Sequence, residues 1–170
     1  MNMEDPAAVP DYARLLRLDG KGFVVLGAGQ GIGRQVCHAL SQSGAQVLCV
    51  DRDDALARAV ADEVGGHACA ADVLQRRDVE RVFDTVRKTL QRPFGIVDIV
   101  GRAMIGPIDG LDDDAYQAQH DIVFRHAWLA VQIGAPLLAE HGGGSIVLVG
   151  SLSGEAALHH QALYGSAKAA

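Results

Sequence analysis

The chain has 170 residues, 49% hydrophobic and 21% charged, which is one domain's worth of sequence, enough to bury a core and too short for two full domains. Its formal charge of -6, with no cluster of Lys and Arg, argues against a nucleic-acid or anionic-membrane surface, because such surfaces need a concentrated positive field. Cys37, Cys49 and Cys69 form no C-x-x-C pair and are odd in number, so they read as buried or free thiols of a reducing compartment, and a soluble cytoplasmic protein is the expectation.

Residues 1–18 read as an N-terminal extension: Glu4, Asp5, Asp11 and two prolines are unlike the basic and then apolar start of a signal peptide. No later window reaches the roughly 18 unbroken apolar residues of a membrane helix. Phe23 to Leu26, bounded by Gly22 and Gly27, is a continuous apolar run of the kind found in strands buried on both faces. Ile32, Val36, Ala39 and Leu40 then recur at helical spacing until Ser43-Gly44. Val47 to Val50 is a second strand, followed by a helix carrying Leu56, Val60 and Val64 and ended by Gly65-Gly66. His67 to Ala71 is a weaker third strand. Val79, Val82, Phe83, Val86 and Leu90 form the clearest amphipathic stripe, on a helix that stops before Pro93. Ile96 to Val100 is a fourth strand. A long helix opens at the aspartates from Asp112 and runs to about Glu140, with an expected disturbance at Gly134 and Pro136. Ile146 to Val149 is the fifth strand.

Five alternations of strand and helix predict an α/β doubly wound parallel sheet, a Rossmann fold over residues 19–170 with strand order 3-2-1-4-5. Its ligand crevice belongs at the switch point between the first and fourth strands. The stretch Gly27-Ala28-Gly29-Gln30-Gly31-Ile32-Gly33 lies between the best strand and its helix. Glycine permits the tight turn and the close approach of backbone to a pyrophosphate, while the helix start offers free N–H groups and the positive end of its dipole. Asp51, 24 positions beyond Gly27, is placed to accept hydrogen bonds from the adenosine ribose hydroxyls and to repel a 2'-phosphate, favouring NAD over NADP. Asp72 and Val73, after the third strand, face the adenine side.

Tyr164 and Lys168 stand four apart, on one face of a helix that starts near Gln161. A cation beside a phenol favours the phenolate, at about 1.4 kcal/mol per pKa unit, and so makes a usable acid near neutrality. Ser151, 13 residues before Tyr164, ends the turn after the fifth strand, where its hydroxyl can hold a substrate oxygen. The seven histidines show no metal-ligand spacing, His159-His160 reads as loop surface, and no metal is expected.

Together the Gly27-x-x-x-Gly31-x-Gly33 loop, Asp51, Ala71-Asp72-Val73, Ser151, Tyr164 and Lys168 make the chain resemble the short-chain dehydrogenase/reductase family from about Leu18 to its end. The resemblance implies reversible hydride transfer between NAD(P) and a small-molecule alcohol or ketone. Tyr164 would be the general acid/base, Lys168 its electrostatic partner and a ribose ligand, and Ser151 the substrate anchor. It implies cofactor contacts from Gly27, Gly31, Ile32, Gly33, Asp51, Asp72, Val73, Tyr164 and Lys168. It also implies a homo-oligomer, with Trp128 and Phe124 in the core or in a subunit interface.

Several positions differ from the family pattern. Leu26 stands for a threonine and Gly101-Arg102-Ala103-Met104 for Asn-Asn-Ala-Gly, so both halves of a hydrogen-bonded brace change together. Arg102 reads either as a cation at the cofactor crevice or as solvent-facing. Val123 aligns with an asparagine that helps to hold a proton-relay water, and its side chain cannot hydrogen-bond. The chain ends at Ala170, before the family's last strands, which suggests a truncated or partial family member with an exposed fifth strand. Two readings follow: an NAD-dependent oxidoreductase, and a catalytically silent NAD-binding or interaction module.

Overall fold

The computed structural model describes Val9 and residues 11–170; residues 1–8 and 10, half of the expected N-terminal extension, lie outside the described residues. The remainder of the extension holds a short helix α1 (Tyr12–Leu15), capped by Asp11, which accepts from Arg14 N–H. Leu18 already packs on the domain, and its N–H donates to Ser43 O at 2.8 Å.

Five parallel strands follow in the order β3-β2-β1-β4-β5: β1 (Gly22–Leu26), β2 (Gln46–Asp51), β3 (His67–Ala70), β4 (Pro93–Asp98) and β5 (Ser145–Leu148). The chain builds outward from β1 to β3, then crosses back to lay β4 on the other side of β1, so the predicted switch point forms between the carboxyl ends of β1 and β4. Strand alternation explains why the runs are apolar throughout. Phe23, Val25, Val47, Cys49 and Val97 face α2 (Gly31–Gln42) and α3 (Asp54–Val64). Val24, Leu26, Leu48, Val50 and Ile96 face α4 (Arg76–Thr89) and α6 (His126–Glu140). Both faces are covered, so neither parity can be polar.

The helices keep their predicted places with local changes of face. On α2 the buried positions are Gly33 and Cys37, while Ile32 is 62% exposed and Ala39 turns outward. The sheet therefore selects a stripe one residue round from the predicted one, and Cys37 meets Cys49 of β2 at 3.6 Å. The hydrogen bond to Cys49, together with burial, pushes the Cys37 thiol up, which keeps it protonated; all three cysteines are free and buried. On α3 the buried residues are Ala57, Val60 and Ala61, with Leu56 at the rim. The α4 stripe is buried as predicted, at Val79, Val82, Phe83 and Val86.

The long helix is disturbed at a place other than the predicted one. α5 (Asp113–His120), a wide π turn (Asp121–Arg125) and α6 run on as one rod, and α6 passes through Gly134 and Pro136 without interruption. Pro136 sits on the exposed face, where water can satisfy the carbonyl freed one turn back. Gly134 serves packing: a Cβ there would lie 2.4 Å from Ile96 Cδ1 and 2.4 Å from Phe83 Cζ, so glycine lets the helix press onto β4 and α4. By length and composition alone the rod Asp113–Glu140 is apolar enough to cross a membrane; here it is laid along the sheet, with His126, Leu129, Ala130, Leu137 and Leu138 buried. Its outer face leaves Phe124 at 40% and Trp128 at 54% exposure, so neither belongs to the core. β5 forms the sheet edge, with Val147 and Leu148 about half exposed.

Candidate active site

The glycine loop is a cradle made of backbone. Gly27 has φ +82° and Gly31 φ +54°, a region that side-chain-bearing residues rarely adopt. A Cβ on Gly33 would fall 1.9 Å from Gly27 O, so α2 can begin against the loop only if that residue is glycine. Nothing lies within 4 Å of where a Gly31 Cβ would be, which leaves the mouth of the loop open. Gln30 precedes α2 without a side-chain cap, so the first-turn N–H groups of Gly31, Ile32 and Gly33 face that opening uncapped. These features fit a pyrophosphate. Ile32 turns its side chain outside, so only its backbone N–H is available to the loop's mouth.

Asp51 ends β2 directly beside the loop. Its Oδ2 accepts from Gly29 N–H at 2.9 Å and its Oδ1 from Asp53 N–H at 3.1 Å. Two carboxylate oxygens offer about four acceptor positions, so roughly two stay available to ribose hydroxyls. A Cβ on Gly29 would meet Asp51 Oδ2 at 2.7 Å, so this glycine is what lets the carboxylate reach the loop. After β3, Asp72 is exposed and Oδ1 takes Leu74 N–H at 3.0 Å, while its own N–H donates to Asp78 Oδ2 at 2.8 Å. Val73 is packed into the core, with 7% exposure. The Arg81 guanidinium and the Asp72 N–H hold the Asp78 carboxyl below its ordinary range, so Asp78 fixes this turn as an anion.

On the other side of the crevice, Ser151 opens a 3-10 turn (Leu152–Gly154) and Gln161 precedes α7 (Ala162–Ala169). Ser151 Oγ donates to Ser153 Oγ at 3.2 Å, and Ser153 Oγ donates to Gln161 Oε1 at 2.7 Å, tying the serine turn to the start of the tyrosine helix. Two glycines allow the close fit: a Cβ on Gly165 would lie 2.6 Å from Ser153 O, and one on Gly154 2.7 Å from Lys168 O. α7 buries Leu163 and Ala167 and leaves Tyr164 and Lys168 half-buried. Lys168 Nζ donates to Val149 O at 2.7 Å and lies 3.7 Å from where a Gly101 Cβ would be. The ammonium of α7 is thus delivered to the loop after β4, next to the switch point. Gly27 closes the circle, since a Cβ there would lie 3.1 Å from Val100 Cγ2.

A family model described as short chain dehydrogenase matches residues 21–170. The chain belongs to the short-chain dehydrogenase/reductase family. It is 30% identical over 172 residues to a short chain dehydrogenase of Pseudocercospora fijiensis, covering 97% of this chain and 55% of that protein. It is 31% identical over 160 residues to the 7alpha-hydroxysteroid dehydrogenase of Escherichia coli K12, covering 91% of this chain and 62% of that one. Among solved structures, a 7alpha-hydroxysteroid dehydrogenase complexed with NADH and 7-oxo glycochenodeoxycholic acid superposes with a TM-score of 0.87 at 27% identity, over 92% of this chain and 63% of that chain. The chain therefore spans between 55% and 62% of the length of these curated relatives.

Three side chains outside the sequence motifs hold the end of β4 and the loop after it. Leu26 is fully buried in the core, with no hydroxyl to offer. Instead Gln119, also fully buried, donates from Nε2 to Arg102 O at 2.8 Å and accepts from Met104 N–H at 2.5 Å, holding the loop after β4 to α5. Asp98 and His126 link β4 to α6 through Nδ1 and Oδ2 at 2.6 Å, and Asp98 Oδ1 takes Val100 N–H at 3.1 Å. The signal available in the sequence was a polar residue in an otherwise apolar register, Asp98 at the end of a strand and Gln119 in a helix. Arg102 is exposed, and its carbonyl is held by Gln119. Val123 sits buried within the π turn.

Proposed function

We propose that this chain carries the nucleotide-binding and catalytic face of an NAD-dependent oxidoreductase acting on a small alcohol or ketone. The observation that supports the reading most is the position of Lys168 Nζ, which brings the Tyr164 helix to the crevice between the glycine loop and the loop after β4. Gly27, Gly31, Ile32 and Gly33 would hold the pyrophosphate, Asp51 the adenosine ribose, the Asp72-Val73 turn the adenine, and Lys168 the nicotinamide ribose. NAD, when bound, supplies or accepts the hydride. Tyr164 then gives its proton to the carbonyl oxygen during reduction and takes it from the hydroxyl during oxidation. Ser151 rotates its hydroxyl from Ser153 to the substrate oxygen, and Ser153 with Gln161 holds that serine in place. Asp51 favours NAD because a 2'-phosphate would bring negative charge against its carboxylate. The known ligands of the hydroxysteroid relative make cyclic ketones a sensible part of a substrate panel.

Titrating the chain with NADH and NADPH by fluorescence, and assaying turnover with a panel of alcohols and ketones, tests this reading. Saturable binding that is tighter for NADH is expected; no binding overturns it. One observation favours a second reading, a silent NAD-binding module: the buried Val123 at the asparagine position. Binding without turnover for any substrate would select that reading. The exposed Phe124, Trp128 and Val131 suit a homo-oligomeric contact, which sedimentation at several concentrations would reveal. The three free thiols and acidic charge suit the cytoplasm, and fractionation of cells expressing the chain checks it.

A further inference from the structure

Among the described residues, His126 Nε2 is the only buried side-chain nitrogen or oxygen without a hydrogen-bond partner. The residue is 3% exposed, and its other ring nitrogen is held by Asp98, itself 2% exposed. Asp98 Oδ2 fixes the ring through Nδ1 and leaves Nε2 as the free ring nitrogen. An unpaired buried polar atom costs about 1–3 kcal/mol, and in native structures the large majority of such atoms are paired with protein or ordered water. A pair with a purely structural role could have been replaced by apolar side chains at little cost.

His126 lines a cavity of about 200 Å³ between the ends of β4 and β5, the π turn and α7. Its wall includes Asp98, Val123, Val149 and Lys168, and among the described residues the titratable side chains on it are Asp98 from β4, His126 from α6 and Lys168 from α7. Such a volume holds several waters, each needing roughly 10–15 Å³ of this kind of space and two or more polar partners. We propose that His126, oriented by Asp98, is a positioning residue for proton transfer: its Nε2 anchors a water in this cavity that also accepts from Lys168 Nζ. The imidazole thereby does, from the next turn of the same rod, what the side chain of Val123 cannot.

This rests on the reading of Tyr164 as acid and Lys168 as its partner. In ketone reduction the carbonyl carbon gains the hydride and the oxygen takes the Tyr164 proton. The phenolate then regains a proton handed on by Lys168, Lys168 regains one from the anchored water, and that water is replenished from solvent. One proton enters, no electrons move along the route, and alcohol oxidation runs the same steps outward.

The test is long-range 1H–15N NMR of the imidazoles in the ligand-free 170-residue chain, wild type against Lys168→Met, together with steady-state kinetics of His126→Phe, His126→Gln and Asp98→Asn. Lys168→Met is expected to shift the His126 Nε2 resonance and leave Nδ1 in place. His126→Phe should lower kcat on the order of tenfold, below the effect of removing a direct acid or base, with KM and NADH affinity unchanged. His126→Gln, whose amide oxygen can accept from water, should restore part of the loss. Should His126→Phe not fold, Asp98→Asn keeps the packing and is expected to mix the two tautomers in the spectrum and lower kcat. An Nε2 resonance indifferent to Lys168→Met, or an unchanged kcat in His126→Phe, overturns the proposal and leaves the proposed function standing if NADH still binds. Where the wild type binds NADH without turnover, the NMR arm alone decides. Failure of the wild-type chain to bind NADH overturns both.

Discussion

The two ends of the crevice are built on different terms. At the β1–β3 end the surface of the crevice is mostly backbone: a loop that only glycines permit, the uncapped start of α2, and one carboxylate resting on that loop. At the β4–β5 end it is held by side chains reaching across the fold, Gln119 to the loop after β4, Asp98 to His126, Ser153 to Gln161 and Lys168 to Val149. A backbone cradle is specified by a few adjacent residues, and an error in it is steric. A side-chain brace depends on residues far apart in sequence, and an error in it is graded. At this second end Gln119, Asp98 and His126 tie the loop after β4 and the end of β4 to the long rod.

The comparison can be broken first at Tyr164. Tyr164→Phe should lower kcat by about 10²–10⁴, the range for a lost general acid or base, with NADH affinity unchanged by fluorescence titration. A matching fall in affinity would mean the two ends do not work separately. Gly33→Ala comes next: a backbone oxygen 1.9 Å from the new Cβ cannot yield as a side-chain end can. It should cost about 3 kcal/mol or more in urea unfolding and abolish NADH binding, and normal binding would show that the cradle is more adaptable than its geometry. Gly134→Val presses instead on the ends of Ile96 and Phe83, which can move, so a loss of about 1–3 kcal/mol is expected with cofactor affinity nearly intact.

The smallest effect sharpens the first end. Asp78 holds the Asp72 turn through a charge-assisted hydrogen bond, and its folded-state pKa lies below the ordinary 3.8. A depressed carboxylate contributes stability above its unfolded pKa and loses it as pH falls toward the folded value. Asp78→Asn should therefore cost about 1 kcal/mol at pH 7, with the two unfolding curves converging in acid below that point. A difference that persisted in acid would assign the effect to shape rather than charge.

Much of the fold was legible because its signals are local. Five apolar runs separated by helical stripes, with glycines at the turns, decide a parallel sheet, and the short connections decide its hand and order. The stripe on α4 was right in every residue, since one strongly amphipathic face leaves the helix a single way to pack. The face of α2 was misjudged at Ile32 and Ala39, because a sheet edge and a neighbouring helix choose among nearly equal stripes. Gly134 was misread as a break because composition alone cannot separate a glycine that ends a helix from one that admits a neighbour. The glycine loop and the helix that carries Tyr164 and Lys168 were readable because their residues are adjacent or four apart. Gln119, Asp98 and His126 were missed because nothing in a linear pattern says that residues 28 apart share a hydrogen bond.

The sequence by itself determined the strand order, the glycine cradle with Asp51 beside it, and the spacing that puts Tyr164 and Lys168 on one helix, all of which follow from short-range sterics and helical spacing. Only the tertiary structure decided where the long helix widens, which polar side chains brace the loop after β4, and that Lys168 and His126 look into one cavity. Those outcomes turn on which surfaces approach within a few ångströms once the layers pack, and that distance is set by the whole core rather than by any segment of it.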